Sequence, residues 1–294
     1  MVQSIDNALI TEFSESVHHE VQQMTSQLKP YTMMKPMSGD VFAYDGLGPV
    51  EMREVSGRVV KADFDDIDHT RRKISRQRFV LNLPIDSSDV RGALQDPQSE
   101  YAKAVAAAAM RKWDQVAAAA AFADVQTDRD FENTVTFAND GGLTVDATSG
   151  LTYEKLLEIQ QNFINNSVGM DSNEKLFLAI TGKENTALMG ETELTSGDFV
   201  RELSVDKGRM VKAAGLDLIH FPANATNPVL DVASTVRSCI AASSRGICVG
   251  MSKDMSITVT ERDDYIETTQ VQVILEMGAV RTEGALIQKV TTTA

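Results

Sequence analysis

Between Pro97 and Ala123 the chain runs for 27 residues with no glycine and no internal proline, and twelve of these residues are alanine. Asp96 stands where a helix N-cap belongs, and Pro97 stands at the first helical position, where a missing N–H costs nothing. Tyr101, Val105, Ala109, Trp113, Val116, Ala120 and Ala123 recur every three or four residues and form one apolar stripe. The spacing predicts a helix over 97–123, a rod of roughly 40 Å at 1.5 Å rise per residue. With so many alanines the rod is slim, so other backbones can approach it closely. It is suited to be a spine crossing beneath a sheet.

The segments before this spine read differently. Residues 1–29 carry a second helical stripe of Leu9, Phe13, Val17, Val21, Met24 and Leu28, closed by Lys29-Pro30. Nothing adjacent in sequence offers this stripe a surface, so it reads as an arm or as the edge of a core. His18 and His19 are neighbours on it and point about 100° apart, which prevents them from sharing a metal. From Pro36 to Pro84 the pattern is extended chain. Val41–Tyr44 reads as a short strand ending at a Gly46, Gly48, Pro49 turn. Arg58–Phe64 and Lys73–Leu83 read as the two arms of a long hairpin, the second with the alternation of a half-buried strand.

The tip of that hairpin is highly charged. Asp63, Asp65, Asp66 and Asp68 are followed at once by Arg71, Arg72, Lys73, Arg76 and Arg78. A calcium loop is excluded, because Asp68 stands where such a loop needs glycine and Ile74 where it needs a bidentate glutamate. The acidic block also cancels much of the field that a nucleic-acid patch would need. A segment this long with little core of its own is foreign to one compact domain. It is better explained as a projection whose charges meet complementary charges on a neighbouring subunit.

After the spine, 125–148 reads as irregular apart from Thr134–Phe137. Thr152 caps a helix to Asn165 with Tyr153, Leu156, Leu157, Gln160 and Ile164 on one side. Lys175–Thr181 and Leu216–Phe221 read as buried strands, with helical turns over Lys183–Met189 between them. This is the order of an α/β lobe over about 150–245. Ile247–Met251, Ser256–Glu261, Thr268–Met277 and Ala285–Val290 read as four closing antiparallel strands.

No chemistry is advertised. There is no Gly-x-Ser-x-Gly, no His-Glu-x-x-His, no phosphate loop and no dinucleotide fingerprint. Four scattered histidines and 42 carboxylates single out no acid/base pair, and Cys239 and Cys248 read as reduced core thiols. No catalytic, cofactor or metal residues are expected. The opening residues lack the positive charge and apolar block of a signal peptide, so a cytoplasmic origin is expected. A net charge of −14 argues against a surface that grips phosphates throughout.

Several stretches resemble the major capsid proteins of tailed bacteriophages, with their Hong Kong 97-like fold. RFVLNLPID (78–86) leads toward YAKAVAAAAMRKWDQVAAAAAFA (101–123), as an extended loop leads into a spine helix. FLAITG (177–182), VDKGRMVKAAGLDLIHFPAN (205–224) and VQVILEMGAVRTEGALIQKV (271–290), with its Gly-Ala-x-Arg turn, are similar to the axial and closing segments of that family. The resemblance implies an α+β fold with an N-terminal arm (1–35) and an extended β-hairpin loop (36–95). A peripheral domain (96–149 and 246–294) would contain the spine helix 97–123, and an axial domain would span 150–245.

It also implies a non-enzymatic shell protein that self-assembles into hexamers and pentamers of an icosahedral shell enclosing double-stranded DNA. Contacts between subunits would run through Asp63, Asp65, Asp66, Asp68, Arg71, Arg72, Lys73, Arg76 and Arg78 of the hairpin. Leu9, Phe13, Val17 and Val21 of the arm would make others. The implied partners are a scaffolding protein, a portal, possible decoration proteins and DNA bound without sequence specificity, with no membrane. No room precedes the arm for a scaffolding region, so the scaffold is expected to be a separate protein. No crosslinking Lys–Asn pair is identified. Assembly is expected in the host bacterial cytoplasm and residence in the virion capsid. Three readings compete: an encapsulin-type bacterial nanocompartment shell, a ring-forming phage adaptor or tail protein, and a cytoplasmic α/β enzyme with an unrecognised carboxylate site.

Overall fold

The alanine-rich stretch is one unbroken helix, α1 (Gln98–Phe122). The computed structural model describes residues 23–52, 54, 66–86, 98–191, 194, 205–206, 208–223, 227–262 and 268–294. The Asp96-Pro97 cap lies outside these. Before α1 come β1 (Met33–Pro36), β2 (Val41–Leu47), β3 (His69–Ser75) and β4 (Gln77–Asp86). After it come β5 (Val125–Thr127), β6 (Asn133–Val135), β7 (Leu143–Ala147), helix α2 (Tyr153–Asn165), β8 (Leu176–Ile180) and helix α3 (Gly182–Met189). A small ribbon of β9 (Val205–Asp206) and β10 (Arg209–Met210) precedes β11 (Lys212–Ala213), β12 (Leu216–His220), β13 (Val232–Ala233) and β14 (Val236–Ser243). The chain closes with β15 (Ile247–Arg262), β16 (Thr268–Arg281) and β17 (Ile287–Thr293).

The spine joins two bodies of core. Val105 and Ala109 pack with Ile85, Val271 and Val273 in one apolar cluster. Trp113, Ala117 and Ala121 belong to the main core, with Phe163, Phe177 and Ile180. The predicted stripe is buried at Val105, Ala109, Trp113 and Ala120. Ala123 falls past the last turn and is exposed. The small side chains along one flank leave a groove of about 1110 Å³, lined in part by Lys112, Val116, Ala119 and Ala123 of this stretch.

Three larger sheets surround the spine. The long sheet has the order β1-β15-β16-β4, and α1 lies across it. The seven-stranded sheet runs β11-β12-β8-β14-β17-β7, with β13 paired to β14. The third sheet is β2-β3-β5-β6. β8 is buried at all five positions, as its continuous apolar run requires of a strand covered on both faces.

Several expectations need correction. The hairpin is formed by β2 and β3, with Val41 opposite Ser75 and Leu47 opposite His69. Lys73–Leu83 is not one arm: β3 ends at Ser75, and β4 joins β16, placing Leu83 by Val271 and Phe79 by Leu275. Alternation identified both as strands but is the same for any partner. Arg58–Phe64 lies outside the described residues. β2 also runs through Gly46, the supposed turn, which pairs with Thr70 and where a side chain would come within 2.7 Å of Thr70 Oγ1.

Helix α2 buries Leu156, Ile159 and Phe163, while Leu157 and Ile164 of the predicted face are exposed. The four closing strands are three. Ile247–Met251 and Ser256–Glu261 are one bulged strand, and β17 leaves β16 to pair with β14 and, in parallel, with β7. The seven-stranded sheet therefore draws strands from both sides of 150–245.

Candidate assembly interface

Of the charges singled out in the sequence, Arg71, Arg72 and Lys73 lie on β3 of the β2–β3 ribbon, Asp66 and Asp68 just before it, Arg76 just after it and Arg78 on β4. Asp45 and Arg71 pair across it at 2.7 Å on an exposed face. Lys73 Nζ lies 5.8 Å from the centroid of the Phe131 ring. Arg76 pairs with Asp40 and with Glu276 at 3.1 Å, and Arg78 approaches Glu276 at 3.5 Å. Asp66 turns back on the backbone N–H of Ile67 at 3.0 Å. The Asp68 carbonyl accepts from Gly48 N–H at 2.8 Å, extending the ribbon by one step. Asp63 and Asp65 lie outside the described residues. Arg71, Arg72, Arg76 and Arg78 are thus drawn to carboxylates of their own chain, and the first two sit with Lys73 on the ribbon.

The far end of the ribbon is apolar as well as charged. Leu47, Val50, Met52 and Ile67 are 67%, 56%, 101% and 38% exposed. Large apolar side chains left exposed along one short stretch mark an interaction surface more often than single scattered ones do.

The base of the ribbon is locked. Arg72 is buried and reaches the Asp140 carboxylate with both terminal nitrogens, at 2.7 and 2.8 Å. The fully buried Arg281 meets Asp140 through Nε at 2.7 Å. Its Nη1 donates to the carbonyls of Ala121 and Ala123, at 3.1 and 2.9 Å, closing the C-terminal end of α1. Burial pushes the Asp140 carboxyl up, but the hydrogen bonds and charges of Arg72 and Arg281 outweigh this and hold it below its ordinary value. One carboxylate therefore ties the ribbon, the spine and β16 together.

A second buried carboxylate ties down the root of the arm. Asp114, on α1, accepts from Gln23 Nε2, Ser26 Oγ and the backbone N–H groups of Gln27 (3.0 Å) and Leu28 (3.2 Å). Arg111 Nη1 donates to the Gln23 carbonyl at 3.0 Å. Burial raises the pKa of Asp114 despite these donors. Leu9, Phe13, Val17 and Val21 lie outside the described residues, so the description of the arm begins at this anchor.

Neither anchor was named from sequence, although each left a signal. Asp114 is the lone carboxylate between Glu100 and Asp124 in an alanine helix, and Arg281 ends the Gly-Ala-x-Arg stretch, which reads as a turn and instead forms the last four residues of β16. A third network joins Glu184 of α3 and its N-cap Thr181 to Arg237 of β14 and Thr292 of β17 in the seven-stranded sheet. Among the described residues no group of histidine, cysteine and carboxylate side chains has the arrangement of a metal site, and no helix is long and apolar enough to cross a membrane. Burial raises the Cys239 thiol to about 12 and the Cys248 thiol to about 11, leaving neither as a ready nucleophile.

A spine helix under a long sheet, a second mixed sheet and a projecting ribbon define the Hong Kong 97-like class of shell proteins. The capsid of cyanophage P-SCSP1u superposes with a TM-score of 0.70 at 13% identity, covering 100% of this chain and 95% of that one. The capsid of Ralstonia phage GP4 gives 0.68 at 8% identity, with 100% and 98% covered. The head of Helicobacter pylori bacteriophage KHP40 gives 0.68 at 11% identity, with 98% and 96% covered. No curated protein matches in sequence. Residues 5–293 match the phage capsid protein family, and the chain belongs to it. It is a major capsid protein, a structural component of the phage shell in the virion, as the spine, loop and closing strands led one to expect.

Proposed function

We propose that the subunit assembles into hexamers and pentamers that tile an icosahedral shell around double-stranded DNA, with the loop 36–95 laid over an adjacent subunit and the arm 1–35 clasping another. The axial unit, built on 150–245, meets its copies at the capsomer centres, and the peripheral unit, 96–149 and 246–294, surrounds it. The observation that carries this reading is the exposed apolar group Leu47, Val50, Met52 and Ile67 at the end of a ribbon whose base alone is packed. Burial on a neighbour would contribute about 25 cal/mol per Å².

The charges set register more than they supply affinity. Asp63, Asp65, Asp66, Asp68, Arg71, Lys73, Arg76 and Arg78 have that role, with Arg72 holding the ribbon's base. Leu9, Phe13, Val17 and Val21 supply the apolar face of the arm.

The protein works by contact and not by catalysis, needs no cofactor or metal, and assembles in the host bacterial cytoplasm. A scaffolding protein guides curvature, a portal occupies one vertex, and decoration proteins add to the outside where present. A net charge of −14 keeps the shell from adhering to DNA that it encloses without sequence preference.

Electron microscopy of the purified protein, alone and with the scaffolding protein, tests this. Closed shells of tens of nanometres with six- and five-fold capsomers are expected. Only small discrete oligomers under both conditions would refute it.

A further inference from the structure

Where the spine crosses the edge strand β4, the fit between the two is incomplete. Phe79, Leu81, Leu83 and Ile85 alternate along one side of β4. Leu83 and Ile85 share an apolar cluster with Tyr101, Val105 and Ala109 of α1. Phe79 packs on the main core, with Lys112 Nζ 4.8 Å from the centroid of its ring. Between them Leu81 meets only the small side chains of Ala108 and Ala109 and remains 36% exposed. The alanines leave a trough of about 390 Å³ over Phe79 and Leu81 and their cross-strand partners Leu275 and Val273. Arg78, itself exposed, and Lys112 stand on its rim.

An apolar trough with a cationic rim suits an apolar segment that carries carboxylates. The far end of the β2–β3 ribbon is such a segment. Leu47, Val50, Met52 and Ile67 are exposed there, and so are Glu51, Glu54, Asp66 and Asp68. The bond from Gly48 N–H to the Asp68 carbonyl holds the two runs side by side. Within one subunit neither surface covers the other, since Leu81 and the four apolar residues of the ribbon end all face solvent. The larger groove along α1 suits this end poorly. It is lined by Asp124 and Asp231, of the same sign as the ribbon end, and by the amides of Gln115, Gln126 and Asn227.

We propose that the end of the β2–β3 ribbon of one subunit docks in the trough between β4 and α1 of the next copy. Met52, unbranched and able to fill an irregular gap, enters beside Leu81. Glu51, Asp66 and Asp68 meet Arg78 and Lys112. The inference rests on the loop contact proposed above and names the surface on which the loop lands. Donor and receiver are different patches of the same chain, so the contact is heterologous and runs head to tail, closing into a ring where the rotation allows. Each copy gives one ribbon end and receives one, as capsomers of five and six both require.

The test is a disulfide between copies. Met52→Cys and Ala108→Cys subunits, full length, are assembled together in equal amounts and mildly oxidised. Cys239 and Cys248 are buried and do not compete. A non-reducing gel should show a covalent dimer in the mixture and none in either variant alone, and Val50→Cys as donor gives a second reading of the same contact. A chain carrying both Met52→Cys and Ala108→Cys should crosslink into ladders that end at five and six members. Lys112→Glu sets like charge against the ribbon end, and should leave the subunit folded by circular dichroism while lowering particle yield by about tenfold or more.

Intact shells in which the mixture stays uncrosslinked with both donors would overturn the landing site while leaving the shell reading standing. So would a doubly substituted chain that closes its disulfide only within itself, or an unchanged yield from Lys112→Glu. Crosslinked small oligomers without shells would support the contact and count against the shell.

Discussion

Arg72 and Asp140 meet through two parallel hydrogen bonds, Nη2 to Oδ1 at 2.7 Å and Nη1 to Oδ2 at 2.8 Å, in a site where both side chains are almost wholly buried. Arg281 approaches the same carboxylate from the other side and caps the spine. Replacing Asp140 by alanine leaves two buried guanidinium groups without their counter-charge. Such half-removed buried pairs cost about 3–5 kcal/mol. Urea unfolding of the unassembled Asp140→Ala subunit should show that loss, with the β2–β3 ribbon exchanging its amide hydrogens first. An unchanged midpoint would show that the cluster is idle.

The pH response carries two opposite signs. Asp140 and Glu184 are held below the ordinary carboxylate range. For Asp140 the arginines outweigh burial, and for Glu184 the donors of Thr181 and Thr292 do. Each thus contributes stability that is complete above the unfolded pKa of about 4 and is lost as pH falls through the lower folded value. Asp114 is raised by burial, so its ionised form opposes folding, and protonation relieves this as pH falls toward about 4. The unfolding midpoint measured from about pH 7 down to about pH 2 should fall steeply only below about pH 4. Asp114→Asn should remove the opposing component just above that point.

The arm's root offers a more local readout. In Asp114→Ala the buried N–H of Leu28 and the N–H of Gln27 lose their acceptor. An orphaned buried donor costs about 1–3 kcal/mol. Hydrogen exchange at these two amides should accelerate well beyond that at the centre of α1. Equal protection in both proteins would mean that the anchor is not the carboxylate.

Gly278 marks where two sheets touch. A Cβ there would stand 2.2 Å from the Ser75 carbonyl oxygen and 2.9 Å from Ile74 Cγ2. Backbone cannot yield as a flexible side chain can, so Gly278→Ala should destabilise the subunit by about 1–3 kcal/mol through overpacking. Thermal unfolding should register this as a lower Tm.

Met52 separates folding from assembly. Its side chain is fully exposed. Met52→Glu should therefore change subunit stability by no more than about 0.5 kcal/mol. Under the proposed loop contact it should still delay or abolish particle formation, followed by light scattering. Normal assembly would remove Met52 from the interface.

The sequence by itself determined the helices α1 and α2, strands such as β8 and β12, and much of which face went inward, but 143–147, read as irregular, is the strand β7. The three- and four-residue spacing of α1, the continuous apolar run of β8 and the alternation of Val271, Val273 and Leu275 survive as burial. These patterns are legible because a helix or strand repeats its own geometry every few residues, whatever lies opposite. Pairing has no such local signature. Alternation in 79–85 is the same whether the partner is 58–64 or 271–275, and only the tertiary structure brings Phe79 to Leu275 and sends β17 beside β14. The buried anchors follow the same rule. Arg281, Asp140 and Arg72 are far apart in the chain, and each finds its charge partner only after the spine, ribbon and long sheet have closed around one small dry volume.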